Sequence, residues 1–166
     1  MPLEENHAIA TRIAALLRER GEKVAVADGA SGGLIMASLL TVPGALDFFV
    51  GGGVVYSFRA RDVLFDLPRE AYAGMRSASE PYALLQARAI RDRMGVDWGL
   101  AESGSAGAST HPMGVHSGRS VAAIAGPAGF ERTAVIETGS DDRIANMDRF
   151  ALNALEAFAA ALNEAA

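Results

Sequence analysis

The sequence contains no cysteine, which excludes a disulfide framework, a thiol nucleophile and a thiolate metal site. It has no run of about 18 apolar residues, and this excludes a transmembrane helix. Its acidic first residues lack the basic-then-apolar pattern of a signal peptide. The net charge is −5 and the basic residues form no stripe, so we expect no nucleic-acid binding. These absences predict one cytoplasmic domain over residues 1–166 that contacts neither membrane nor nucleic acid.

Apolar residues recur with helical spacing in some segments and form short buried runs in others, so helices and strands alternate along the chain. This alternation predicts the α/β class, as a single three-layer α/β/α domain whose mixed sheet is covered by helices on both faces. The predicted strands are residues 24–27, 48–55, 98–101, 120–125 and 133–137. Five helices are predicted. The first ends near Gly21, the second and third span 31–40 and 57–64, and the fourth runs from Ser79 to Met94, which should face inward. The fifth begins near Ser140 and should bury Ile144.

The segment 24–35 is the most informative part of the chain. It has the pattern of a buried strand, a turn rich in glycine and serine, and a helix that begins at Ser31 as its N-cap. A helix start offers unpaired backbone N–H groups and the positive end of the helix dipole to an anion. The dinucleotide-binding fingerprint and the P-loop lysine are both absent. The segment therefore indicates either a small anionic ligand at Ser31 or an ordinary tight turn.

Three turns follow predicted strands, at residues 28–33, 56–61 and 103–110. Ligand sites of α/β proteins lie at the carboxyl ends of strands, so we expect the three turns to line one pocket. A metal site built from His111, His116 and Glu102 is the competing interpretation of the third turn. Their spacing matches no metal-binding motif, and we expect neither a metal nor a cofactor.

Six segments keep the order and spacing of the motifs of one known family. They are the turn 28–33, residues 43–49 (Pro-Gly-Ala-Leu-Asp-Phe-Phe), 53–61 (Gly-Val-Val-Tyr-Ser-Phe-Arg-Ala-Arg), 77–80 (Ser-Ala-Ser-Glu), 103–108 and 116–120. Through them nearly the whole chain resembles the C-terminal domain of the CinA family, the nicotinamide mononucleotide deamidase domain of PncC type. The resemblance implies the fold, a tendency to form homo-oligomers, and hydrolysis of nicotinamide mononucleotide to nicotinate mononucleotide and ammonia by a serine that a lysine activates.

Several reactive side chains of that family are replaced here. Where the family has E-S-C-T, residues 28–31 are Asp-Gly-Ala-Ser, and where it has P-G-S-S, residues 43–46 are Pro-Gly-Ala-Leu. The family lysine is replaced by Arg61, which stays protonated and cannot serve as the base for a serine. The arginine early in the family's last helix is matched by Ala145 or Asn146. Together these replacements predict a catalytically impaired domain that keeps at most a nucleotide or phosphate pocket.

Two other hypotheses compete with this one. A divergent amidohydrolase would use Ser31 or Tyr56, with Arg61 as an anion binder, although capping a helix is the simpler role for Ser31. An oligomeric binding module would use residues 51–55 and the helices as subunit contacts. We expect a homo-oligomer and, as ligand, a mononucleotide or another phosphate-bearing small molecule. The catalytic candidates are Ser31, Tyr56 and Arg61, and the predicted ligand-binding residues are Gly29, Ala30, Ser31, Gly32, Gly33, Tyr56, Ser57, Arg61, Ser103, Gly104 and Ser105.

Overall fold

A single mixed sheet of five strands forms the centre of the protein in this computed structural model, which describes residues 2–109 and 111–166. The strands are β1 (Val24–Asp28), β2 (Phe49–Val54), β3 (Trp98–Ser105), β4 (Arg119–Ala125) and β5 (Glu131–Glu137). Their order across the sheet is β2-β1-β3-β4-β5. β1 is parallel to both of its neighbours, whereas β4 is antiparallel to both β3 and β5.

Helices cover both faces of the sheet and confirm the predicted three layers. They are α1 (Pro2–Arg20), α2 (Leu34–Leu40), α3 (Phe58–Phe65), α4 (Glu80–Met94) and α5 (Arg143–Glu164). α1, α2 and α5 pack together on one face, and α4 packs on the other beside α3. None of the helices in the described ranges is both long enough and apolar enough to cross a membrane.

The two faces of the sheet differ in the size of their side chains. In β1, Val24 and Val26 join the core beneath α1 and α5, whereas Ala25 and Ala27 join the core beneath α4. Small residues let α4 lie very close to the sheet, and a Cβ built on Gly99 would be 1.9 Å from the carbonyl oxygen of Ala87. This close approach brings the first half of α4 to the carboxyl ends of the parallel strands.

The start of α2 differs from the prediction. Helical structure begins at Leu34, and Gly33 occupies the N-cap position in the left-handed conformation, with φ of 98°. Ser31 lies in the preceding turn and caps no helix. The prediction of Ser31 as N-cap is therefore wrong. Gly32 and Gly33 both have a positive φ, which glycine adopts easily, and these two residues extend the turn before the helix begins.

The boundaries of two later elements also differ. β3 continues to Ser105, so the predicted turn at residues 103–110 begins within a strand. α5 begins at Arg143 with Asp142 as its N-cap, and the Asp142 carboxylate accepts a hydrogen bond from the Ala145 N–H at 3.1 Å. Ile144, predicted to be buried, is 75% exposed, and Met94 at the end of α4 is also exposed.

Candidate functional site

A cavity of about 340 Å³ opens at the carboxyl ends of β1, β2 and β3. Each of the three predicted turns contributes residues to its wall, although Thr110 of the third turn lies outside the described residues. The rest of the wall comes from Val55, Ser77, residues 111–112, the first half of α4 and the first residue of α5. Its residues are Gly29, Ala30, Val55, Tyr56, Ser57, Phe58, Ser77, Tyr82, Gln86, Ser103, Gly104, Ser105, Ala106, Ser109, His111, Pro112 and Arg143.

Gly29 is the point at which the turn after β1 meets β3. A Cβ built on Gly29 would lie 2.2 Å from the backbone oxygen of Glu102 and 2.8 Å from its Oε2. Both distances are far inside van der Waals contact, so only glycine fits this backbone. Gly29 stands where the related motif has a serine. Restoring that serine would therefore require β3 to move away, because its backbone fills the space of the missing side chain.

Asp28 and Glu102 form a buried pair of carboxyl groups that Ser31 bridges. Asp28 and Ser31 are fully buried, and Glu102 is 1% exposed. The Ser31 hydroxyl donates to Asp28 Oδ1 and lies 3.2 Å from Glu102 Oε2, while Ser120 donates to Glu102 Oε1 at 2.8 Å. We call these four residues the buried carboxyl cluster. The cluster supplies Ser31 with two candidate bases, yet Ser31 is absent from the cavity wall and is sealed from any molecule in the cavity.

Burial raises the pKa of both carboxyl groups of the cluster. Burial, followed by repulsion from Asp28, raises the pKa of Glu102 to about 7. Burial also raises the pKa of Asp28, against the opposing effect of the hydrogen bonds that this carboxyl accepts. The Ser31 hydroxyl has one proton for two carboxyl groups, so a proton on Glu102 completes the hydrogen-bond network. The pair therefore takes up or releases a proton near neutral pH.

The backbone N–H groups at the start of α2 already have partners. Asp28 Oδ2 accepts from the N–H of Ile35 at 3.1 Å and from that of the next residue at 3.4 Å. Glu102 Oε2 accepts from the N–H of Ser31 at 3.2 Å. The N–H groups of Gly32 and Leu34 donate to carbonyl oxygens of the turn, and that of Gly33 donates to the Asp28 carboxyl group. The predicted anion position at this helix start is therefore filled by carboxylates of the chain itself. Ser31, Gly32 and Gly33 also lie outside the cavity wall.

Arg61 lies behind the cavity wall and contributes no atom to it. Its guanidinium carbon lies 3.6 Å from the ring centroid of Tyr72 and 4.8 Å from that of Phe58, and its Nη2 is 3.1 Å from Asp62 Oδ1. It also interacts with the Tyr82 hydroxyl. Arg61 therefore supports the wall residue Tyr82 instead of facing the cavity as the predicted anion binder.

Arg143 is the single arginine or lysine in the described cavity wall, and no Asp or Glu appears there. Its Nη2 donates to Ser109 Oγ at 3.3 Å, and among the described residues it has no ion pair. Gly107 makes room for it, since a Cβ there would lie 2.7 Å from Arg143 Nε. The resemblance places the family's arginine at Ala145 or Asn146, and neither of these is an arginine. Arg143, the first residue of α5, nevertheless supplies a guanidinium to the cavity.

Two further polar groups line the cavity without hydrogen-bond partners in the described part of the chain. Gln86 is 2% exposed, Ser105 is 7% exposed, and neither side chain hydrogen-bonds to another described residue. Ser105 is among the ligand-binding residues predicted from the sequence, whereas Gln86 is not. Position 86 lies on the buried face of α4 between Ala83 and Ala87. A glutamine on the otherwise apolar face of a predicted helix is the sequence feature that could have identified it.

His111 lines the cavity as a neutral imidazole. Its Nδ1 accepts a hydrogen bond from the Met113 N–H at 3.1 Å, so the ring proton belongs on Nε2. Burial and then the charge of Arg76 lower its pKa below the usual histidine value. His116 lies 3.4 Å from Glu137 instead, and Glu102 is sealed beneath Gly29. The structure therefore does not bring the three residues of the alternative metal site together.

The remaining predicted residues reach the wall in different ways. Tyr56 is 75% exposed at the mouth of the cavity. Ser57 both lines the cavity and caps α3, because its Oγ accepts from the Ala60 N–H at 3.1 Å. Ser103 Oγ accepts from the Ala78 N–H at 3.0 Å, and Gly104 follows it in the wall. These contacts use serine oxygens as acceptors and leave the serines without a base.

No serine of the described cavity wall donates a hydrogen bond to a histidine, lysine or carboxylate. The sequence contains a single lysine, Lys23. It precedes β1, at the opposite end of the strand from the cavity, and its Nζ donates to the Leu46 carbonyl at 2.8 Å. A serine–lysine pair is therefore not available to this cavity.

Comparison with known proteins identifies relatives over almost the whole chain. The family model of the CinA C-terminal domain matches residues 6–162. A CinA-like protein of Parasynechococcus marenigrum is 36% identical over 132 residues, covering 76% of this chain and 30% of that protein. A CinA-like protein of Anaeromyxobacter sp. is 34% identical over 144 residues, covering 86% of this chain and 35% of that protein. The chain thus spans about a third of the length of these curated relatives.

Solved structures share the same fold. A CinA superfamily protein from Klebsiella pneumoniae has a TM-score of 0.86 and 24% identity, covering 96% of this chain and 98% of that chain. A competence/damage inducible protein from Agrobacterium tumefaciens has a TM-score of 0.85 and 23% identity, covering 95% of each chain. At these identities the likeness shows the fold alone.

Proposed function

The chain belongs to the family of CinA C-terminal domains, and from this premise we propose that it binds a phosphate-bearing small molecule of the mononucleotide type without hydrolysing an amide bond. The observation that carries the proposal is Arg143. Its guanidinium has no carboxylate partner in the described part of the chain, and it lines a cavity that has no acidic residue among its described wall residues. Such a group gains its strongest partner when an anion enters, and guanidinium geometry suits phosphate oxygens.

The rest of the wall suits a ligand of this class. Tyr56, Phe58 and Tyr82 contribute aromatic rings, which pack well against a planar heterocycle. Serine hydroxyls from three separate segments can bond to ribose and phosphate oxygens. The cavity volume of about 340 Å³ is within the usual range for small-molecule sites.

The absence of amide hydrolysis rests on the placement of the candidate nucleophiles and bases. Ser31 has carboxyl partners but no access to the cavity, and Tyr56 has access but no basic partner among the described residues. Arg61 is stacked on Tyr72 and stays protonated. A hydroxyl without a base is a poor nucleophile. The divergent amidohydrolase that would use Ser31 or Tyr56 is therefore the weaker hypothesis.

The test is a thermal-shift and calorimetric comparison of ligands with and without a 5′-phosphate. We expect nucleoside 5′-monophosphates and ribose 5-phosphate to raise the melting temperature and the matching nucleosides to leave it unchanged, since a ligand stabilises the folded state by mass action. Arg143→Gln should weaken phosphate-dependent binding by about 10- to 100-fold. Nicotinamide mononucleotide should release ammonia only at the uncatalysed rate.

The matched control is Arg149→Gln, an exposed arginine further along α5 that does not line the cavity. It should bind phosphate ligands like the parent protein. Indifference to every 5′-phosphate would contradict the binding proposal. Ammonia release above background that Ser31→Ala or Tyr56→Phe abolishes would instead support the amidohydrolase.

A further inference from the structure

We infer that Gln86 determines which ring the cavity accepts, and that it selects a planar ring whose edge carries a hydrogen-bond donor beside an acceptor. A lactam edge within the ring and a primary carboxamide attached to it both present this pattern. The inference rests on the proposed function, since it assigns the ring end of a ligand whose phosphate Arg143 binds.

The first support is the state of the Gln86 amide. Gln86 is only 2% exposed, and its side chain has no hydrogen-bond partner in the described part of the chain. Among the described residues, only the Tyr72 hydroxyl is a fully inaccessible side-chain polar atom without a partner. The side-chain oxygen and nitrogen of Gln86 are therefore both accessible to solvent, and the cavity is the space that this residue lines.

The second support is the position of Gln86 on α4. Its neighbours on the same helical face are Ala83, Ala87 and Ile90, all part of the apolar core. An apolar residue at position 86 would complete that core, whereas an unpaired amide there lowers stability unless something supplies its hydrogen bonds. Tyr82, one turn earlier on α4, places an aromatic ring in the same wall. The helix thus presents a ring surface and an amide together.

The third support is the separation of charge and amide across the sheet. α5, which carries Arg143, packs on one face of the sheet, and α4, which carries Gln86, packs on the other. The cavity crosses the strand ends between them. A ligand that spans it therefore has its anionic group towards α5 and its ring edge towards α4. The two ends can be tested independently.

The chemistry of the amide sets the ligand class. Glutamine offers one carbonyl acceptor and an NH₂ donor side by side, so it forms a pair of hydrogen bonds with an edge that offers the complementary groups. A ring without such an edge would leave both amide atoms unpaired. Sites built around a buried hydrogen-bonding group reject analogues that lack the partner far more strongly than apolar pockets reject small size differences.

The experiment measures the dissociation constants of five probes for the parent protein and for Gln86→Met, which keeps the length and removes the amide. Uridine and inosine 5′-monophosphates carry the lactam edge, and nicotinamide mononucleotide carries the carboxamide. Purine riboside 5′-monophosphate and ribose 5-phosphate lack both. Of the lactam and carboxamide probes, one class should bind the parent protein more tightly, and we expect Gln86→Met to weaken the affinity for that class by about 10- to 100-fold. The dissociation constants of the two probes without an edge should stay unchanged. The preferred source of the edge is the class that the parent protein binds more tightly.

The melting temperature of the unliganded protein is a second measurement. It should fall in Gln86→Met if Gln86 has a merely structural role, and it should not fall if the amide serves a ligand. Gln86→Met should keep or raise the melting temperature of the unliganded protein, because it removes a buried amide that has no partner among the described residues. A melting temperature lowered by several degrees would overturn the inference, since it would show that the protein itself uses the amide. Gln86→Asn, which keeps the amide but withdraws it by one methylene, should lose most of the same affinity.

The outcomes distinguish this inference from the function on which it rests. If no 5′-phosphate ligand binds, ribose 5-phosphate included, the proposed function fails. If phosphate ligands bind but ring edges make no difference, and Gln86→Met leaves every constant unchanged, the proposed function stands and the assignment of Gln86 is wrong.

Discussion

At the scale of single residues, Glu102 shows how strongly burial changes an acid in this fold. The carboxyl lies beneath Gly29 with Asp28 nearby, and burial together with that neighbour raises its pKa from 4.5 to about 7. Between these two values the folded protein binds the Glu102 proton more tightly than the unfolded chain does. The contribution of this residue to stability is therefore complete below the unfolded pKa and is lost as the pH rises through about 7.

This linkage predicts the effect of Glu102→Gln. The variant remains neutral, so between about pH 5 and pH 8 its free energy of unfolding should fall less steeply than that of the parent. At pH 8 the variant should be more stable by up to about 3 kcal/mol, the linkage value of a shift from 4.5 to about 7. Denaturant unfolding at several pH values measures both curves. Glu156→Gln, an exposed change on α5, is the control, and identical pH slopes for Glu102→Gln and the parent would contradict the prediction.

At the scale of secondary-structure elements, α2 is unusual because a strand residue caps it. Asp28, the last residue of β1, accepts hydrogen bonds from two N–H groups of the first turn of α2 as well as from Ser31. The N-cap residue itself, Gly33, has no side chain to do so. A capping carboxylate from the neighbouring strand joins the strand end to the helix start. It also explains why the turn offers no place to an external anion.

Asp28→Ala should destabilise the protein by roughly 2–4 kcal/mol, because it leaves several buried donors without an acceptor. Asp142→Ala removes an ordinary, exposed N-cap from α5 and should cost only about 1 kcal/mol. Asp28→Asn keeps one acceptor oxygen and should recover much of the loss. Denaturant unfolding gives these values, and amide hydrogen exchange at Ile35 should accelerate in Asp28→Ala. If Asp28→Ala and Asp142→Ala lowered the free energy of unfolding equally, burial of the Asp28 cap would add nothing to its contribution to stability.

At the scale of the whole molecule, the two edges of the sheet differ in a way that favours self-association at one of them. β5 carries Glu131, Arg132 and Glu137, charges of the kind that prevent strand pairing between chains. β2 has no charged residue, and its Val50 is 44% exposed on an edge without a neighbouring strand. We propose that a second copy of the chain associates at the β2 edge, in line with the homo-oligomer expected from the sequence.

Val50→Lys should therefore dissociate the oligomer. A lysine on an edge strand carries a charge that pairing with a second copy would bury without a partner. Light scattering at micromolar concentration should report an oligomer for the parent and a monomer for the variant. Val135→Lys is the matched control, since Val135 is a 42% exposed valine on the opposite edge strand. A monomeric parent protein would contradict the proposal.

The α/β class, the five strands, the five helices and the meeting of three turns at one edge of the sheet could all be predicted from the sequence, as could the family. Hydrophobic periodicity and turn residues are local properties, and they set element type and order directly. The replacement of the family lysine by Arg61 is likewise visible in the sequence. Gly29, Ala30, Tyr56, Ser57 and the 103–105 segment are predicted ligand-binding residues, and all of them reach the cavity wall.

Only the tertiary structure decided which polar groups face the cavity. It buries Ser31 between Asp28 and Glu102, stacks Arg61 on an aromatic ring, and brings Arg143 and Gln86 from helices on opposite faces of the sheet to one cavity. These placements depend on how closely β3 approaches Gly29 and α4 approaches the alanine-lined face of the sheet. Such approaches join residues far apart in the chain and are determined by packing, which local sequence patterns do not encode.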